Sequence, residues 1–323
     1  MADLLEPVRA GGLLGAGQPV VVLLSGGRDS VCLLDLAVRL SGPGAVRALH
    51  VNYGLREAAA GDEAHCRELC DRLGVELVVH RPRRAGRTGN LQAWARAERY
   101  SAAAELGGAV ATGHTATDQV ETILYRLASS PSRRALLGMR PREGAVIRPL
   151  LGVTRAQTAA HCTARGLTWR EDASNDTPAY ARGRVRHGLV PALEAVHPAA
   201  GANVLAVAEI LRQEAEVLDE LVDASLRGRD EIELEHLRAL PPALRRLVVQ
   251  RLADGAAGGP AAGVARRAEE VAALGEGASL HLPAGVSAGV RGGMVRMGRT
   301  PEGGRRSRPG PRPRQKTGGE APT

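Results

Sequence analysis

Between residues 20 and 40 the chain passes from an unbroken apolar run, through a short polar turn, into an amphipathic stretch. That passage restricts the fold more than any other feature. Residues 20–24 (Val-Val-Val-Leu-Leu) offer no polar side chain to solvent on either face, so they read as a strand covered on both sides, the condition of a parallel sheet. The turn Ser25-Gly26-Gly27-Arg28-Asp29-Ser30 follows, and residues 31–40 then carry apolar positions at helical spacing. A parallel strand needs a crossover to its partner, and a helix is the usual one. The first half repeats the unit: strands are predicted over 46–51, 75–79 and 109–112, and helices over 62–73, 91–106 and 117–127. Short loops between alternating strands and helices predict an α/β fold with a doubly wound parallel sheet, Rossmann-like in kind.

Beyond about residue 190 the pattern changes. A long helical stretch covers 202–226. Another covers 233–254, where Pro241-Pro242 can break and restart the helix. A Gly/Ala/Pro-rich segment (255–264), one more helix and a strand pair over 279–282 and 290–297 complete a smaller, mostly helical domain. The expected division is a lead-in over 1–17, an ATP-pyrophosphatase-like domain over 18–195, a helical substrate-binding domain over 196–298 and a disordered basic tail over 299–323. Hydrophobic residues form 44% of the chain, enough for a sizeable core. Because Phe is absent, Leu, Val and Ala must fill that core, with Trp94 and Trp169 as the two indoles.

The formal charge of +8 suits a polyanionic partner. Nearly all of it is arginine, and Lys316 is the single lysine. Scarce Lys with absent Phe is equally what GC-rich coding produces, so arginine richness alone does not decide for RNA. The lysine count does exclude a phosphate loop or Schiff base that depends on a lysine in the folded body. Cys32, Cys66, Cys70 and Cys162 do not make a secreted disulfide pattern, and no apolar run reaches roughly 18 residues. The expectation is a soluble cytoplasmic protein without a membrane partner; monomer and homodimer both remain open.

Chemistry concentrates at predicted strand ends, which face the ligand crevice of an open parallel sheet. At Ser25–Ser30 a helix N-terminus offers backbone N–H groups and the positive end of its dipole to phosphate oxygens, and the paired glycines allow close approach. Ser25 and Ser30 add hydroxyls, Arg28 a cation, and Asp29 a carboxylate that suits Mg²⁺. An ordinary glycine turn with a serine cap is the bland alternative. The string is neither a Walker A loop, lacking Gly-Lys-Ser/Thr, nor a dinucleotide fingerprint, lacking the third glycine. His50 and Val51 end the second strand, where backbone groups could read adenine. Gly113 and His114 end the fourth, where a histidine could stabilise charge developing on a phosphate. Asp118 and Glu121, three apart, share a helix face and could hold Mg²⁺ or an ammonium, or form a solvated face. Arg96 and Arg99, also three apart, and the run Arg182, Arg184, Arg186, His187 could contact ATP or RNA phosphates, or be exposed basic surface.

Ser25–Ser30 resembles the PP-loop, the Ser-Gly-Gly-x-Asp-Ser signature of ATP pyrophosphatases, which implies ATP cleaved between its α and β phosphates and an adenylated substrate. Further strings narrow the resemblance: His50-Val51-Asn52-Tyr53-Gly54-Leu55-Arg56; Asn90-Leu91-Gln92 before Ala95–Tyr100; Ala111-Thr112-Gly113-His114 before Asp118–Thr122; Arg148-Pro149-Leu150-Leu151; and Glu171–Asn175 before Tyr180 and Arg182–Arg186. In this order they look like the tRNA(Ile)-lysidine synthase family, closely over 18–195 and loosely over 200–298. The resemblance implies ATP and Mg²⁺ as cofactors, with free L-lysine and an isoleucine tRNA carrying a CAU anticodon as substrates. C2 of the wobble cytidine is adenylated, and the lysine amine then displaces AMP. On this reading Asp29, His114, Asp118 and Glu121 are catalytic; Asp29 and Asp118 take the metal.

Four positions depart from the family pattern. Thr115 and Thr117 stand where His and Asp are usual, Tyr53 where His is common, and Gly183 where Asn follows the first arginine. These departures keep open a tRNA-binding relative with a degenerate ATP site. A thiolase of the same superfamily is the other alternative. It would need paired cysteines for an iron–sulfur cluster, and the four here read better as small buried hydrophobes, although Cys66 and Cys70 share a helix face beside His65.

Overall fold

The computed structural model describes residues 3–54, 59–82, 91–130, 133–170 and 181–300. They fall into two compact units, Met1–Gln213 and Glu214–Thr323. Leu55, Arg56, Asn90, the Glu171–Asn175 string, Tyr180 and the tail beyond residue 300 lie outside the described residues.

The first unit runs α1 (Leu5–Ala10), β1 (Val20–Leu23), α2 (Arg28–Ser41), β2 (Val46–Val51), α3 (Ala59–Leu73), β3 (Glu76–His80), α4 (Leu91–Glu105), β4 (Ala109–Ala111), α5 (Ala116–Ser129), α6 (Arg133–Leu136), β5 (Arg142–Glu143), β6 (Val146–Ile147), α7 (Arg155–Ala164), α8 (Ala181–Arg184), α9 (Val190–Val196) and the start of α10 (Ala200–Leu226). The sheet order is β3-β2-β1-β4-β6-β5, parallel throughout except for β5. β1 therefore lies at the point where the strand order reverses, with β2 on one side and β4 on the other. Open α/β sheets bind ligands outside the carboxyl ends at this point.

The apolar run is buried on both faces, as its composition requires. Val20 and Val22 pack with Leu33, Leu36, Leu69 and Ile147, while Val21 packs with Leu49, Ala102, Ala103 and Val110 on the other face. Several elements escaped the sequence reading: α1, whose Leu5 and Val8 join the main cluster, the β5–β6 pair, and the helices α6 to α9. Pairing between β1 and β2 stops at Leu23–Leu49, whereas β2 continues beside β3 to Val51. Leu49 turns its backbone to β1, so the next groups on that side belong to Val51, and β1 leaves them uncovered.

The second unit contains the rest of α10, β7 (Glu231–Glu233), α11 (Leu234–Ala239), α12 (Pro242–Ala257), α13 (Ala268–Ala272), β8 (Ser279–Leu282), β9 (Val286–Arg291) and β10 (Met294–Arg299). The helix break at Pro241 is where the double proline places it, with Pro242 opening α12. The smaller domain is mostly helical, as expected, and its strands form an antiparallel sheet ordered β7-β10-β9-β8 that closes one core with these helices. The segment read as one strand over 290–297 is a hairpin. Gly292 and Gly293, at φ 58° and 71°, form the two-residue turn that a tight hairpin prefers. Glu276 accepts both turn N–H groups, at 2.7 and 2.9 Å. No helix among the described residues is long and apolar enough to cross a membrane.

Candidate active site at the carboxyl edge of the parallel sheet

The loop after β1 is braced from within. The Ser30 hydroxyl donates to the Gly27 carbonyl at 2.7 Å and accepts from the Ser25 backbone N–H at 3.2 Å, and the two serine hydroxyls lie 3.1 Å apart. Gly27 occupies the N-cap of α2 with extended backbone, and no side chain caps it, so the helix start faces the crevice as a phosphate site needs. Gly26 sits at φ 84°, a conformation that favours glycine, and a Cβ there would stand 3.3 Å from Cys66 Sγ. The His50 ring faces inward: its Nδ1 is 2.9 Å from the Leu24 carbonyl oxygen and 3.5 Å from Cys66 Sγ. His50 is therefore a buried strut under the loop, and the backbone that this strand end presents to a ligand is Val51's.

Gly113 brings the end of β4 against the start of α2. Beyond it, His114 Nδ1 lies 2.7 Å from the hydroxyl of buried Thr112. Burial holds the His114 ring far below the ordinary imidazole range, at about 4, despite the pull of Asp118; Arg148, Arg182 and Arg96 push the same way. His114 is thus neutral at neutral pH, and in the tautomer whose Nδ1 accepts from the Thr112 hydroxyl its proton lies on Nε2.

The carboxylates form a connected set. Asp29 Oδ1 accepts from the Thr158 hydroxyl at 2.5 Å and from Arg28 Nε at 3.2 Å. Asp118 is the third residue of α5 and closes a capping box, accepting from the Thr115 N–H and hydroxyl at 2.9 and 2.8 Å. Burial alone would raise its carboxyl. Arg155 and the Thr115 hydrogen bonds outweigh burial and hold it below the usual carboxylate range. Glu121, one turn on, is wholly buried and paired twice, with Arg155 Nη1 at 3.2 Å and with Arg186 Nε at 2.8 Å. Burying a carboxylate is costly unless cations pair with it, and these two arginines do.

Of the arginines read as phosphate contacts, Arg96, Arg99, Arg182 and Arg184 are exposed. Arg96 lies over the Tyr100 ring, 4.7 Å from its centre, and Arg182 donates to the Thr122 hydroxyl at 2.8 Å. Arg186 turns inward to Glu121. It sits in a π-helical turn, Val185–Leu189, where the Val190 N–H reaches back to the Val185 carbonyl just before Pro191, which has no N–H to continue α-helical bonding. Two participants were missed by sequence reasoning. Arg155 opens α7 and reaches Asp29, Asp118 and Glu121; Thr158, one turn later, holds Asp29. Neither belongs to a recognisable string, and only a folded α7 brings them to the loop.

Cys32, Cys66, Cys70 and Cys162 are all buried, and burial pushes the thiols of Cys66 and Cys70 up to about 12, as for inert packing groups. No group of three or more His, Cys, Asp or Glu among the described residues has the arrangement of a metal site.

A PP-loop domain family matches residues 7–193. A tRNA(Ile)-lysidine synthase from Thermus thermophilus is 37% identical over 296 residues, which cover 87% of this chain and 57% of that protein. One from Salinispora tropica is 38% identical over 301 residues, covering 86% of this chain and 90% of that protein. The chain thus spans little more than half the length of the Thermus relative and nearly all of the Salinispora one. A solved U34-tRNA thiolase from Methanococcus maripaludis, with its 4Fe-4S cluster, superposes with a TM-score of 0.52 at 18% identity, over 64% of this chain and 77% of that one; the likeness is one of fold.

Proposed function

Because the chain belongs to the tRNA(Ile)-lysidine synthase family of PP-loop proteins, we propose that it is an AMP-forming ligase. It joins free lysine to C2 of the wobble cytidine in an isoleucine tRNA with a CAU anticodon. One observation carries this reading: an uncapped helix start, a neutral histidine and three carboxylates converge where the strand order of the parallel sheet reverses.

In this scheme the α2 N-terminus and the Ser25 and Ser30 hydroxyls hold ATP phosphates, and the uncovered edge at Val51 reads adenine. The cytidine O2 attacks the α-phosphate and pyrophosphate leaves. The lysine amine then attacks C2, and AMP departs with the O2 oxygen. His114, neutral, donates a hydrogen bond from Nε2 to charge developing at the phosphate. The charge of Asp118 and Glu121 suits the lysine ammonium. Asp29 and Asp118 supply the hard oxygen donors that Mg²⁺ takes, which fits a metal bound with ATP; Mg²⁺ would neutralise phosphate charge. Arg96, Arg99, Arg182 and Arg184 contact RNA phosphates, and residues 196–298 form the substrate-binding part.

The test combines the protein with ATP, Mg²⁺, labelled lysine and CAU-anticodon isoleucine tRNA. Label in a base-stable linkage to RNA, with AMP release, is the expected result. Retained tRNA binding without label transfer would sink the ligase in favour of a binding relative with an inert ATP site.

A further inference from the structure

Three carboxylates of the site share one guanidinium. Arg155 places Nη2 2.7 Å from Asp118 Oδ1, Nη1 3.2 Å from Glu121 Oε1 and Nε 3.6 Å from Asp29 Oδ2. Its root is fixed. A capping box between Thr154 and Gln157 sets the first turn of α7, and the Arg155 backbone N–H donates to the Thr117 hydroxyl at 3.3 Å. Thr117 is one of the positions that depart from the family string. An aspartate there would offer the same acceptor but add a fourth negative charge beside Asp118. Threonine keeps the acceptor and omits the charge.

The partners differ in how much they depend on Arg155. Glu121 has Arg186 on both oxygens, at 2.8 and 3.1 Å. Asp118 keeps its two bonds from Thr115, and Asp29 keeps those from Thr158 and Arg28. No carboxylate would be stranded if Arg155 swung away. The guanidinium lies between the carboxylates with one nitrogen toward each; the three as placed do not make a metal site, but a cation that took its place would meet the oxygens it releases on Asp29 and Asp118.

We propose that Arg155 is a positioning residue and the resident cation of this carboxylate cage, and that a substrate cation enters by displacing it from Asp29 and Asp118. The proposal rests on reading Asp29, Asp118 and Glu121 as the ligase's cation site. The shared chemistry is a small cation held by carboxylate oxygens, and its two sources are a divalent metal and the ammonium of the amino-acid substrate. Arg155 holds Asp29 and Asp118 in one geometry until that exchange. It also weakens the cage's attraction for any competitor by its own charge.

The experiment uses the full chain with Arg155→Gln, Arg155→Lys and Thr117→Asp. Calorimetry of a non-hydrolysable ATP analogue across a Mg²⁺ titration reads the metal, and the lysine dependence of AMP release gives KM and kcat. In Arg155→Gln the apparent affinity for one cation should tighten by about tenfold while kcat falls by a similar factor. Tightening in the Mg²⁺ arm assigns the exchange to the metal, and tightening in lysine KM assigns it to the ammonium. Arg155→Lys, which keeps charge without the fork, should hold affinity near wild type and recover part of kcat. Thr117→Asp, which adds charge while keeping both the Arg155 guanidinium and an acceptor for its backbone N–H, should tighten the same cation. Affinities that stay put or weaken in both Arg155→Gln and Thr117→Asp overturn the proposal. A wild-type protein that never transfers lysine overturns the ligase reading instead, while the Mg²⁺ arm, which needs neither lysine nor tRNA, still decides the role of Arg155.

Discussion

Gly113 and Asp29 meet so closely that a side chain between them would need one backbone to give by a few tenths of an ångström: a Cβ on Gly113 would stand 3.1 Å from the Asp29 carbonyl carbon and equally close to the Ser30 nitrogen. The end of β4 thereby sets where the phosphate loop begins its helix. Gly113→Ala must push backbone away from backbone, at a stability cost of about 1–3 kcal/mol. The larger effect should be on geometry. A loop displaced by a fraction of an ångström should lower kcat/KM for ATP by about tenfold or more. Steady-state AMP release beside urea unfolding separates the two, and a loss of stability with unchanged kcat/KM would refute the positioning argument.

Asp29 stands in the first turn of α2, where a carboxylate stabilises the helix by about 0.3–1 kcal/mol. Asp29→Ala should therefore unfold within a few degrees of wild type while AMP formation drops by about a hundredfold or more. Thr158→Val deletes the 2.5 Å hydrogen bond to Asp29 and leaves the carboxylate in place, so it should fall between the two. AMP release that persists in Asp29→Ala would rule out the metal and phosphate role given to it.

The strands, crossovers and phosphate loop of the first unit were legible in the sequence because each rests on local pattern. A doubly apolar run, a glycine pair and a 3.6-residue period all act over a few residues. Arg155, Thr158 and the inward turn of Arg186 were not, because their meaning comes from partners more than thirty residues away in the chain. Thr115 and Thr117 look like losses beside the family string. In the folded protein the first caps α5 and the second holds the Arg155 backbone. The β9–β10 hairpin was hidden because Val290, Met294 and Val295 read as one apolar run, although the Gly292-Gly293 pair between Arg291 and Met294 carries the turn.

Glu121 differs from Asp29 in that its charge serves the fold as well as the site. Glu121→Gln leaves Arg155 and Arg186 facing a neutral amide in a buried setting, and breaking such a pair destabilises by about 3–5 kcal/mol. Arg186→Met should destabilise less, since Arg155 remains on the carboxylate. Urea midpoints of the two variants test the ordering. Equal small losses would show that water reaches Glu121 and screens it.

His114 makes a pH-dependent contribution of definite sign. Its folded pKa, about 4, lies below the unfolded imidazole value of about 6.5, so the unfolded chain binds the proton first as pH falls. Stability should thus decline between pH 6.5 and 4, by up to about 3 kcal/mol from this group alone. His114→Asn should flatten that part of the profile and leave stability above pH 7 nearly unchanged. An unaltered acid slope in the variant would place the proton uptake on another residue.

Arg96 and Arg99 lie exposed on α4, one turn apart, with Arg96 seated over Tyr100. If both meet RNA phosphates, each releases counterions on binding, and each should contribute about 0.7 to the slope of log affinity against log salt for a single-stranded anticodon loop. Arg96→Ala and Arg99→Ala should therefore weaken tRNA binding at low salt and reduce that slope by about 0.7 each, roughly equally for CAU-anticodon and unrelated tRNAs. The affinity for a non-hydrolysable ATP analogue should stay the same. A variant that loses nucleotide affinity and keeps its salt slope would move that arginine from the RNA to the triphosphate, which is the other polyanion this face can hold.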